Sequence, residues 1–80
     1  MRAVSTRLTL EQAPTGSALV IAGTSANPHL AHRLMTLGWR VGAGVRIVRK
    51  SVSGARIIDL NGARVAVSRD LAGTLLVERP

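Results

Sequence analysis

Asn61-Gly62 sits between two alternating runs, "ARIIDL" and "ARVAVS", and this arrangement constrains the fold more than any other stretch of the chain. An Asn-Gly pair between such runs predicts a two-residue type I′ hairpin, because both turn positions need a left-handed backbone that Asn tolerates and Gly adopts freely. The turn sets the register. Leu60 should oppose Ala63, Asp59 oppose Arg64, and Ile58 oppose Val65. One face then holds Ile58, Leu60, Ala63, Val65 and Val67. The other carries Asp59 across from Arg64, a favourable cross-strand pair worth about 0.2–1 kcal/mol.

The segments around the hairpin are also short and mostly strand-like. Leu8 and Leu10 alternate before a Pro14-Thr15-Gly16 turn, which suits an edge strand. Residues 17–23, "SALVIAG", predict a strand buried on both faces, because apolar residues occupy both parities. "VRIVRK" (45–50) and "TLLVE" (74–78) predict two further strands, and "RDLAG" (69–73) a single turn. With 80 residues and no cysteine, a single core must supply the stability unaided by disulfides. A flat sheet of this size would expose its edges, so the expected architecture is a closed one: a small, mainly β, SH3-like barrel of five to six short strands.

One segment breaks the pattern. "TSANPHLAHRLMTLG" has helical spacing, with Leu30, Leu34 and Leu37 as an apolar stripe widened by Ala31 and Met35. Asn27 can cap the first turn, Pro28 fits the first helical position, and Gly38 can stop the helix in a left-handed conformation. This predicts one helix over about 28–37, inserted between the first strand and the rest of the barrel.

"RLMTLGWRVGAGVRI" (33–47) resembles the helix-turn-strand signature of FeoA-like domains, through Arg33, Leu34, Leu37, Gly38, Gly42, Val45 and Ile47. The Ala13–Gly16 turn, Val20-Ile21, Gly54, the run from Gly62 to Val67, Ala72 and "LLV" (75–77) fall in step with the same family. The resemblance spans residues 8–78, leaving 1–7 as an expected flexible extension. Val41 stands where the family usually has proline, Trp39 where a smaller apolar residue or Phe is common, and the two histidines where it often carries charged residues. The resemblance implies a cytoplasmic SH3-like barrel that works at the inner face of the cell membrane. It implies a role as accessory to a large FeoB-like membrane GTPase of ferrous iron transport, binding and modulating that partner without catalysis. A similar domain ends the metal-dependent repressors of the diphtheria-toxin-repressor type, so a stand-alone metal-responsive regulatory domain is an alternative.

The residues themselves offer three candidate surfaces. The first is a partner-docking face of Met35, Leu37 and Trp39 rimmed by Arg33 and Arg40, with Trp39 either a contact hot spot or a lid on the core. The second is a metal site. His29 and His32 are three apart on the helix and can share a face, but a third ligand would have to be Glu11 or Asp70 from another segment. The only metal expected is therefore a weakly held divalent ion, and no other cofactor. The third surface is basic. The chain carries 11 Lys and Arg against 4 Asp and Glu, a formal +7. Arg46, Arg49, Lys50 and Arg56, followed by Arg64 and Arg69, could contact nucleic-acid phosphates. A single tryptophan gives little platform for base stacking. No Ser-His-acid set, paired carboxylates or phosphate loop is present, so enzymatic activity is not expected. Free strand edges leave self-association open.

Overall fold

The computed structural model describes residues 7–80. In chain order the elements are β1 (Arg7–Thr9), β2 (Ala18–Thr24), α1 (Pro28–Thr36), β3 (Gly44–Lys50), β4 (Arg56–Leu60), β5 (Ala63–Val67), α2 (Arg69–Ala72) and β6 (Leu75–Glu78). The six strands form one antiparallel sheet in the order β1-β6-β2-β3-β4-β5, the mainly β architecture expected. The helix enters between β2 and β3, one strand later than expected.

The hairpin has the anticipated geometry. Asn61 (φ 54°) and Gly62 (φ 80°) are both left-handed, and all three predicted pairings hold. Ile58, Leu60 and Val67 are buried, Val65 is half-buried, and Ala63 is exposed at the turn. Asp59 and Arg64 oppose each other but do not close into an ion pair. Among the described residues the ion pairs are Arg7–Glu78 at 3.1 Å and Glu11–Arg69 at 3.0 Å. Residues 1–6 of the expected extension lie outside the described residues. Arg7 belongs to β1, where it opposes Glu78.

Two bulges curl the sheet. In β2 the register shifts between Ile21 and Gly23, and in β3 between Ile47 and Arg49. Each inserts one extra residue, Ala22 and Val48, which bends the strand and raises its twist. The bending leaves β2 buried on one side only. Leu19 and Ile21 are inside, Ala18 is exposed, and Val20 and Ala22 are half-buried, so the two-sided burial expected from composition does not occur. Leu10, Ile21, Ile47, Ile58, Leu75 and Val77 are fully buried. They come from β2, β3, β4, β6 and the residue after β1, so the curled sheet meets its own inner face. Each such side chain contributes about 1.5–3 kcal/mol.

The helix begins and ends on local chemistry. The Asn27 Oδ1 accepts from the Leu30 amide at 2.9 Å, and Pro28 occupies the first turn. At the other end the helix stops at Thr36, one position before the end expected, and Leu37 is its cap. The Gly38 amide donates to Met35 O (3.0 Å) and the Trp39 amide to Leu34 O (2.9 Å), a Schellman pair made possible by Gly38 at φ 109°. That reversal swings Trp39 onto Leu34 inside the core and turns Leu37 outward. Of the expected stripe, therefore, Leu34 is buried, Leu30 half-buried and Leu37 exposed. The short α2 is likewise capped, by Ser68 Oγ accepting from the Leu71 amide at 3.2 Å.

Gly38 also sits tightly against the hairpin turn. A β-carbon placed there would lie 2.4 Å from the Asn61 Nδ2. We expect Gly38→Ala to lower stability by about 1–3 kcal/mol in urea denaturation, through both the left-handed backbone and the clash. Gly44→Ala, whose methyl would meet only Leu19 O at 4.0 Å, should stay within about 0.5 kcal/mol of the parent.

Candidate functional site

Trp39 is the shared wall between two apolar recesses. Its indole is 5% exposed, and Nε1 donates to Gly23 O at 2.9 Å. This bond ties the helix C-terminus to β2 and satisfies the one polar atom of a buried ring. On one side lies a recess of about 130 Å³ between α1 and the β4–β5 hairpin, with Leu34 and Leu37 facing Leu60, Val65 and Leu71. On the other lies a shallower recess of about 380 Å³, formed by Gly23, Thr24, Ala31, Met35, Arg40 and Val41. Three large apolar side chains stand exposed around this pair: Met35 (50%), Leu37 (66%) and Val41 (75%).

The candidate docking residues fall into place unevenly. Met35, Trp39 and Arg40 line the shallower recess, and Leu37 and Trp39 the deeper one. Arg33 is exposed on α1 and lines neither. Trp39 is a core residue that shapes both recesses from behind, because the helix stop turns its ring inward. Val41 and Leu71 were not singled out by sequence reasoning. The signal for Val41 was its place among the glycines of "GWRVGAG", where an apolar side chain has no core to enter. Leu71 carried no comparable signal, since it becomes visible only once α2 is placed beside the hairpin.

His29 and His32 are both exposed on α1. The described residues contain no cluster of three or more His, Cys, Asp or Glu able to hold a metal. Glu11, one of the two third ligands considered, is engaged instead with Arg69 Nε at 3.0 Å. Among the described residues, therefore, no third His, Cys, Asp or Glu is gathered with His29 and His32.

The basic residues divide in two. Arg46, Arg49, Lys50, Arg64 and Arg69 are exposed. Arg56 is not: it is 7% exposed, because 56, 58 and 60 share the inward face of β4. Its guanidinium donates through Nη1 to Gly54 O and through Nη2 to Glu11 O at 2.8 Å. These bonds tie β4 to the connection after β1, so Arg56 does not belong to the open phosphate-binding strip expected. The hydrogen bond to Glu11 and the charge of that carboxylate raise the Arg69 pKa above its ordinary value.

Comparison with known proteins yields a consistent set of likenesses. The profile of the FeoA domain matches residues 8–79. The chain is similar to the FeoA protein of Chlorobium tepidum, at 25% identity over 90% of this chain and 70% of that one, with a TM-score of 0.82. It is similar also to FeoA of Stenotrophomonas maltophilia in complex with zinc, described as a procaryotic SH3 domain protein. The identity there is 28% over 88% of each chain, with a TM-score of 0.74. A manganese-dependent transcriptional repressor matches with a TM-score of 0.84 at 16% identity, and this chain covers 44% of its length, a likeness of fold alone. No curated protein sequence matches the chain. Among the described residues, no helix is long and apolar enough to cross a membrane.

Trp39→Phe keeps the ring in the core but leaves Gly23 O without its donor. We expect a stability loss of about 1–2 kcal/mol by urea denaturation. A loss below about 0.3 kcal/mol would show that the indole bond contributes nothing.

Proposed function

The chain belongs to the FeoA domain family, and from that membership we propose that it is an accessory protein of ferrous iron transport. It docks onto the cytoplasmic part of the membrane GTPase transporter through the apolar collar around the end of α1. The carrying observation is that Met35, Leu37 and Val41 are exposed together around two apolar recesses. A small barrel with every strand paired to a neighbour has no internal need for such side chains outside. A contiguous apolar patch beside polar surroundings marks a protein contact.

The physical roles follow from position. Leu37 and Met35 are the burial elements, each contributing about 1.5–3 kcal/mol if fully covered by a partner. The deeper recess receives one side chain of that partner, and the rigid Trp39 wall keeps it open, so little ordering cost attaches to binding. Arg33 and Arg40 are exposed nearby, and the formal charge of +7 steers the chain toward an acidic face. Modulation then means favouring whichever transporter conformation exposes the complementary surface, by the difference in affinity between its states. The zinc-bound relative from Stenotrophomonas maltophilia is itself described as a candidate activating factor of bacterial ferrous iron transport, which supports this reading.

The alternatives have less behind them. A nucleic-acid module loses Arg56 from its contact strip, and its one aromatic ring is buried. A metal-responsive regulatory role draws on the fold of the repressor alone, and among the described residues no cluster of three or more ligands includes His29 and His32.

Isothermal titration of the full chain against the cytoplasmic portion of the transporter tests the proposal. Met35→Asp with Leu37→Asp should leave the unfolding midpoint within about 0.5 kcal/mol of the parent, since both side chains are exposed. The same variant should weaken association at least about tenfold. Unchanged affinity in the double variant would reject the collar as the docking surface.

A further inference from the structure

A third depression, of about 430 Å³, lies apart from both recesses and shares no residue with them. Glu11, Lys50, Ser51, Gly54, Arg56 and Arg69 line it. It forms where the loop between β3 and β4 meets the connection after β1 and the start of α2. Three of its side chains are cations and one is an anion.

The charge in this cleft is not balanced. Arg56 is almost fully buried, and both of its hydrogen-bond acceptors are neutral carbonyls, Gly54 O and Glu11 O. All four carboxylate side chains of the protein lie among the described residues. Among the described residues Glu11 pairs with Arg69 and Glu78 with Arg7, Asp59 and Asp70 form no ion pair, and no carboxylate lies within 4.0 Å of the Arg56 guanidinium. Two carbonyl dipoles accept from the guanidinium but do not neutralise its buried charge. Lys50 is exposed and has no partner among the described residues, and Arg69 uses only Nε, leaving its terminal nitrogens without one. With Glu11 offsetting Arg69 and Asp70 adding a weaker negative field at the same side chain, Lys50 and Arg56 remain as two cations without an ion-pair partner around one cavity.

We propose that this cleft binds a phosphate-class oxyanion, either free phosphate or the phosphate group of a small soluble ester. Lys50 and the terminal nitrogens of Arg69 make the direct contacts, and Arg56 supplies the fixed charge behind them. A phosphate monoester carries about −1.5 to −2 at neutral pH and presents several acceptor oxygens, which matches the two unbalanced charges in amount and in donor geometry. A lone carboxylate would match half of it. The Ser51 hydroxyl, 2.9 Å from that of Ser53, adds a donor at the lip. A nucleic-acid strand suits the cleft less, since the one aromatic ring of the chain is inside the core and offers no stacking surface. Glu11 opposes the ligand. Its carboxylate competes for Arg69 and repels the incoming anion, so this residue sets the affinity.

The test is an NMR titration of the ¹⁵N-labelled full chain with inorganic phosphate at constant ionic strength, with a nucleoside diphosphate in a parallel series. Either probe should give saturable amide shifts confined to residues 11, 50–56 and 69. Lys50→Gln should weaken binding roughly fivefold, and Glu11→Gln should tighten it by a similar factor, since it removes the one carboxylate of the cleft. Both side chains reach solvent, and spectra unchanged elsewhere will show that the fold is intact. The Met35→Asp, Leu37→Asp variant should bind phosphate like the parent, which separates this site from the docking collar. The proposal fails if shifts rise linearly and spread over Arg46 and Arg64. It also fails if Glu11→Gln has no effect, or if anionic vesicles or an oligonucleotide bind while neither soluble probe does.

Discussion

The structure depends on the reversal of the chain at Gly38. Here the helix stops, the backbone turns left-handed, and the next residue enters the core instead of solvent. The Trp39 indole then reaches Gly23 in β2, while Gly38 itself presses against the hairpin turn at Asn61. A single glycine therefore joins three parts of the chain that are distant in sequence: the helix, β2 and the β4–β5 hairpin. The barrel core is made of aliphatic side chains that could pack in many ways. The directional bonds at this junction select one of them.

Much of this was legible in the sequence wherever the determining interactions were local. Asn27, Pro28 and Gly38 announced the helix because capping depends on residues within one turn. Asn61-Gly62 announced the hairpin and its register because a two-residue turn leaves one pairing. The strand β2 was misjudged for the converse reason. Its composition is apolar at both parities, but a bulge at Ala22 and an exposed Ala18 leave one side open, and bulge placement depends on how β6 and β3 meet it. Arg56 was legible and was passed over. The hairpin register that turns Ile58 and Leu60 inward carries Arg56 to the same face, where backbone carbonyls accept from its guanidinium.

The candidate docking surface was half visible. Met35, Leu37 and Arg40 were assigned to it and stand at the surface. Of the two readings of Trp39, contact residue or lid on the core, its burial fits the second: it is the partition behind the candidate surface. The distinction lies in one residue of phase: the Schellman turn exchanges the expected positions of Leu37 and Trp39. A helical-wheel argument cannot see this exchange, because it assumes that the helix continues. Val41 and Leu71 complete the surface from outside the helix, one from the loop after the stop and one from α2.

The central placement of Trp39 has an optical consequence. The chain contains one tryptophan and no tyrosine, so all of its near-ultraviolet emission arises from a single ring. That ring forms the partition between both apolar recesses and is remote in lining from the basic cleft around Arg56. The intrinsic fluorescence of the protein is thus a built-in reporter of what settles against the end of the helix, and it is blind to what the arginine cleft takes up.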